Sequence, residues 1–126
     1  MSAQQGLTRY IHWIFAGFVI LWNARGGLNF FMQVASPEFV AGLPQEYIDA
    51  IARRPDWATA GFGLAVFGGL IGGILLLFRV RISFSILLLA SFGALLTVID
   101  FMDAGPISQL MLNLAATLYA FRITSR

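Results

Sequence analysis

Between Ala58 and Ile99 the only charged residues are Arg79 and Arg81, so two long apolar runs follow one another almost without interruption. A helix crosses a hydrocarbon core of about 30 Å with about 20 apolar residues. The spacing therefore predicts spans over about 58–78 and 82–102, joined by a turn so short that the two must form an antiparallel hairpin. Composition points the same way. Of 126 residues, 59% are hydrophobic and 11% charged, where a soluble domain carries roughly a quarter. Four spans would use about 80 positions and leave about 45 for connections. The chain is thus read as one transmembrane domain over residues 1–126, an all-α, integral-membrane four-helix bundle.

The other two spans are less evident. The apolar run Trp13–Trp22 is ten residues long, too short to cross alone, so the first helix must continue past Arg25 to about Gln33, giving a span of about 10–33. Ser36-Pro37 ends it, because proline disfavours helix in the residue before it. Arg9 ahead of that run resembles a signal peptide, but Asn23, Arg25 and Asn29 follow without a small-x-small cleavage site, and an uncleaved first helix is expected. The fourth span, about 107–123, is opened by Gly105-Pro106, with proline placed near a helix start.

All the positive charge comes from eight Arg, with no Lys, and the net charge is +2. The arginines stand at segment ends in ones and twos, which speaks for topology and against nucleic-acid binding. Arg9, Arg79, Arg81, Arg122 and Arg126 fall on one side; Arg53 and Arg54 fall on the other with Glu38, Glu46, Asp49, Asp56 and Asp103. The excess places both termini in the cytoplasm. The outer loop, 36–57, has its own pattern: Pro44 at a helix start, Tyr47, Ile48 and Ile51 on one face, and Arg53-Arg54 before Pro55. A short interfacial helix is expected there; a solvated loop with one helical turn is the alternative.

In the second span Gly61, Ala65, Gly69 and Gly73 recur every four residues with Gly68 and Gly72 beside them. Small residues at that spacing let helices approach closely in lipid. Such a groove serves either packing within the bundle or docking of another subunit. Without a strand-turn-helix setting or a following Lys, it is no phosphate loop.

Three polar stripes cross the spans. Arg25, Asn29 and Gln33, with Trp22 and Gly26, share one face of the first; Asp100, Thr97 and Gly93 share a face of the third; Gln109, Asn113 and Thr117 share a face of the fourth. At 1.5 Å per residue, Arg25 lies about 22 Å and Asp100 about 27 Å from the cytoplasmic starts of their spans. Gln109 and Asn113 lie about 3 and 9 Å below the outer start of theirs. All converge at one level, and an intramembrane charge is expected to face the bundle and find a partner. The expectation is an outward-facing pocket of Arg25, Asn29, Asp100, Gln109 and Asn113 with an Arg25–Asp100 ion pair at its centre. That pair fits three roles: fixing helix register, clamping a carboxylate, phosphate or carbonyl with the guanidinium, or passing protons through Asp100.

His12, the only histidine, is expected at the interface with Tyr10 and Trp13, in a girdle completed by Trp57 and Tyr119. Met32, Met102 and Met111 read as packing. The absence of cysteine excludes disulfides, thiolate nucleophiles and thiolate metal sites. With no nucleophile-base pair, metal-ligand set or cofactor fingerprint, no enzyme, metal or cofactor is expected.

Trp22-Asn23, Gly26, Phe31-Met32-Gln33, Pro55-x-Trp57 and Val66-Phe67-Gly68-Gly69 resemble the pattern of a set of small bacterial four-helix inner-membrane proteins, some loosely labelled sugar transporters. The resemblance covers about the first three helices. It implies a multi-pass bacterial inner-membrane protein with a long outer loop after the first helix, and brings no functional residues with it. Two functions follow as expectations. One is a non-catalytic accessory or assembly subunit docking onto a larger inner-membrane complex through the glycine groove and outer loop. The other is a small transporter or binding protein, as a homo-oligomer, for a polar or anionic solute, lipid or quinone at the Arg25/Asp100 pocket.

Overall fold

The computed structural model describes residues 3–124, and within them the chain is all-helical. The elements are α1 (Ala3–Ala35), α2 (Pro37–Ala41), α3 (Gln45–Arg53), α4 (Asp56–Leu77), α5 (Ser83–Asp100) and α6 (Ala104–Thr124). Among the described residues α1, α4 and α5 are long and apolar enough to cross a membrane. Four crossings were expected. With 21 residues, α6 has the length, about 31 Å, but Gln109, Asn113 and Thr117 dilute its apolar character, and it does not join the other three.

Local chemistry sets the helix ends. Ser36 is extended (φ −125°, ψ 100°) with Pro37 next, which closes α1 and opens α2. The Ser36 hydroxyl accepts the Phe39 N–H at 3.2 Å, a side-chain cap that makes one further helical turn from what was expected to be loop. α3 lies where the short helix was predicted, with Pro44 before it and Arg53 at its end. Tyr47, Ile48 and Ile51 are half-buried, while Glu46 and Asp49 are exposed.

The α4–α5 turn closes with Val80 N–H on Leu75 O and Arg79 N–H on Leu76 O, both 2.9 Å. This is the Schellman pattern, and its left-handed position is filled by Arg79 at φ 57° where glycine is usual. Left-handed backbone costs a residue with a Cβ about 1 kcal/mol. Arg79→Gly is therefore expected to stabilise the folded chain by about that amount, read as a later midpoint in detergent-micelle unfolding.

α4 is the central element. It packs closely on α1 and on α5, and α5 packs closely on α6, while α1 and α6 approach each other much less. The glycine groove is filled from within the chain. A Cβ on Gly61, Gly68 or Gly72 would meet Leu96, Ala90 or Leu87 of α5, and one on Gly69 or Gly73 would meet Asn23 or Val19 and Ile20 of α1. Ala65 is buried between them. Of the two uses expected of this groove, packing within the bundle is the one seen here: glycines on two adjoining faces of α4 admit two neighbouring helices.

Polarity is inverted relative to a soluble protein. Along α6 the exposed large residues are Ile107, Met111, Leu114, Leu118 and Phe121, while Asn113 and Thr117 are buried. Trp13, Leu21, Phe92 and Met102 project outward in the same way on other helices and at the α5–α6 turn. Arg9, Arg79, Arg81 and Arg122 gather at one end of the long helices; Arg126 lies outside the described residues.

Candidate functional site

His12 marks the arginine-rich end. It is fully buried, with Nδ1 2.6 Å from the Tyr119 hydroxyl and Nε2 3.2 Å from Leu77 O. This corrects its expected place at the interface. Since α1 starts at Ala3, His12 is two turns inside the helix, on the inward line His12, Ala16, Val19, Asn23, Gly27. Leu77 O is one of the orphan carbonyls at the α4 C-terminus and can only accept. The bond to it requires a proton on Nε2, so in the neutral ring Nδ1 accepts from the Tyr119 O–H. Tyr119 accordingly leaves the aromatic girdle and joins α6 to α1 and α4.

At mid-height a polar network joins all four long helices. Gln109 is its hub: Oε1 accepts from Trp22 Nε1–H at 3.0 Å, and Nε2 donates to Asn23 Oδ1 at 2.6 Å and to Asn113 Oδ1 at 3.2 Å. Asn113 Nδ2 donates to Ala65 O at 3.2 Å and Ala90 O at 3.4 Å, and Asn23 Nδ2 to Val19 O at 2.8 Å. Each amide side chain is satisfied, as a buried network requires. Asn23 had no place among the expected polar stripes, although its spacing from His12, Ala16 and Val19 sets it on the same inward line.

Above this network, at the end carrying α2 and α3, lies a cavity of about 470 Å³. Arg25, Asn29, Asp100 and Gln109 line it, together with Gln33 and Thr97. Asn113 does not: it is fully buried beneath the floor, its amide spent on two backbone carbonyls. Gln109 forms the floor with its polar atoms already engaged. The expected Arg25–Asp100 ion pair is absent. α1 and α5 occupy two faces of α4 without packing closely on each other, so the two side chains line one cavity from separate helices.

The charge near Asp100 comes instead from Arg54, which also lines the cavity. Burial lowers the Arg54 guanidinium from its usual value, and the Asp100 carboxylate partly offsets this. Arg54 donates from Nη1 to Gln33 Oε1 at 3.0 Å and from Nε to Thr59 Oγ1 at 3.1 Å, and lies 5.6 Å from the Phe62 ring centroid. A second tie crosses the opening, where Tyr47 O–H donates to Asp103 Oδ2 at 2.7 Å. Both residues were outside the expected pocket. The level of Arg54, beside the start of one span and facing Gln33 at the end of another, was readable from depth; the Tyr47–Asp103 contact, 56 positions apart, was not.

The Asp103 hydrogen bond, reinforced by its negative charge, holds the Tyr47 phenol above its usual value of 10.0. A raised folded-state value means the tie contributes fully below the unfolded phenol's value and is lost as pH rises through the folded one. Spin labels on α3 and α6 should therefore separate only above pH of about 10 in the native chain, and stand apart already at neutral pH in Tyr47→Phe. An unchanged distance in both would show that this bond does not hold α3 down.

Arg25 is the exposed cation of the cavity and makes no hydrogen bond or ion pair with a described residue; the Asp100 carboxylate likewise has no such bond. Among the described residues there is no cluster of three or more histidine or acidic side chains able to hold a metal. No family model, curated protein or solved structure matches the chain.

Proposed function

We propose that the chain is a four-span membrane protein whose outer-face cavity binds a small polar or anionic amphipathic molecule, with Arg25 as the clamp. The fourth span is α6: its apolar residues face outward and its amides inward, an arrangement favourable in lipid and costly in water. With four crossings, the excess of Arg9, Arg79, Arg81 and Arg122 at one end puts both termini in the cytoplasm and the cavity outside, with α3 lying at that interface. The observation that carries the binding reading is the presence of two opposite charges, Arg25 and Asp100, that do not bond to each other or to another described side chain, in one cavity walled by Phe39, Phe62 and Phe101. Ligand sites combine such apolar walls with few polar groups, and a guanidinium recognises carboxylate or phosphate in two-point fashion.

The accessory-subunit reading loses the glycine groove as its docking face, since α1 and α5 occupy it. Native mass spectrometry of the gently solubilised protein tests the choice. A small-molecule adduct that survives delipidation and disappears in Arg25→Leu is the expected result. Co-migration with a much larger heteromeric particle, with no adduct on this chain, would favour the accessory subunit and overturn the binding reading.

A further inference from the structure

The charges around the cavity come in two kinds. Arg54 is engaged by Gln33, Thr59 and Phe62, and Asp103 by Tyr47. Arg25 has no hydrogen bond or ion pair with a described residue, and Asp100, although near the Arg54 charge, accepts no hydrogen bond from one. An anion on Arg25 would leave Asp100 without a hydrogen bond of its own, and a cation on Asp100 would leave Arg25 so. A ligand carrying both charges completes both.

The second observation concerns the way in. α1 and α6 form the loosest seam between neighbouring long helices, held by side chains where the other pairs are held by close backbone packing. His12–Tyr119 ties one end and Trp22–Gln109 the other. On this seam lies a shallow groove of about 380 Å³, lined by Phe18, Trp22, Ser108, Met111 and Leu112. Trp22 lines this groove and the polar cavity alike. Trp22 is thus the residue common to the charged cavity and the apolar groove.

From these two features we infer that the ligand of the proposed site is a zwitterionic membrane amphiphile, its anionic group on Arg25, its ammonium on Asp100, and its hydrocarbon chain passing Trp22 into the α1–α6 groove. The inference rests on the binding reading above and adds to it the second charge and the chain. The charged side chains of the cavity take the head; the slot takes an acyl chain that would otherwise lie in the bilayer beside it.

The test uses the full-length protein in maltoside micelles and three probes followed by native mass spectrometry. These are a lysophosphatidylethanolamine, a lysophosphatidylglycerol of the same chain, and phosphoethanolamine, which has the head and no chain. The expected result is one-to-one binding of the lysophosphatidylethanolamine at least about tenfold tighter than either other probe. Arg25→Gln and Asp100→Asn should each weaken it about tenfold, the loss of one charge-assisted contact. Met111→Trp, which fills the slot outside the charged cavity, should weaken the lipid and leave phosphoethanolamine unchanged. Each variant is first shown to keep its helical circular dichroism and monodisperse elution.

Equal binding of phosphoethanolamine and the lysolipid, indifferent to Met111→Trp, would overturn the chain and identify a free zwitterionic solute. Equal binding of the two lysolipids, unaffected by Asp100→Asn, would overturn the second charge while the Arg25 clamp stands. Binding of none of the three, together with no native adduct, would overturn the binding reading itself.

Discussion

Replacing Gln109 with leucine is expected to be among the most damaging single changes away from the glycine contacts, lowering stability by about 2–4 kcal/mol. The side chain makes three hydrogen bonds, to Trp22, Asn23 and Asn113, and reaches α1 as well as its own helix. Interhelical hydrogen bonds in membranes average about 0.6 kcal/mol and reach about 1.7. Leucine removes all three at once and leaves buried acceptors on Asn23 and Asn113 unmet, which adds the desolvation cost of each. The seam between α1 and α6 has little backbone packing to compensate. Unfolding in mixed micelles, followed by circular dichroism, should show the earlier midpoint, and the indole of Trp22 should become more exposed to quenchers. Gln33→Leu is the comparison: it loses one bond to Arg54 and one to Asn29 near the surface, and a shift of less than about 1 kcal/mol is expected. Equal shifts for the two would mean that the buried network does not hold α6.

Gly93→Ala is expected to be more severe, at or above the usual over-packing cost of about 1–3 kcal/mol. A Cβ at this position would stand 2.5 Å from Gly61 O and 2.9 Å from Ala65 N, both backbone atoms of α4. A clash with a side-chain tip is relieved by a new rotamer; a clash with backbone requires the helices to move apart. Moving α5 from α4 would loosen the closest pairing in the molecule and stretch the Asn113 bonds to Ala65 O and Ala90 O, which bridge the two. Gly17→Ala serves as the opposite case. Nothing lies within 4 Å of a Cβ there, so the substitution should be neutral or stabilising by up to about 1 kcal/mol through helix propensity. A Gly93→Ala chain as stable as the native one would show that the α4–α5 contact is not as rigid as its backbone spacing implies.

The sequence by itself determined the class of the protein and the heights of its parts. Few charges between Ala58 and Ile99 permit a membrane hairpin and little else, and the break at Ser36-Pro37, the short helix after Pro44 and the arginine-marked turn at Arg79 are local chemistry, readable from neighbours a few positions apart. Depth is equally legible, because rise per residue is fixed; this is why Arg25, Asn29, Asp100 and Gln109 do meet around one cavity. Rotation is not fixed in that way. Whether two residues at one height face each other depends on which helices adjoin, and the tertiary packing decided that α1 and α5 would both lean on α4 without closing on each other. Arg25 and Asp100 thus share a chamber without pairing, Asn113 turns beneath it, and Arg54 with Tyr47 and Asp103 enters it from connections whose course no periodicity records. The glycines of α4 show the same division: their spacing announces close approach, and only the packed structure shows that α1 and α5, each on its own face, use it up.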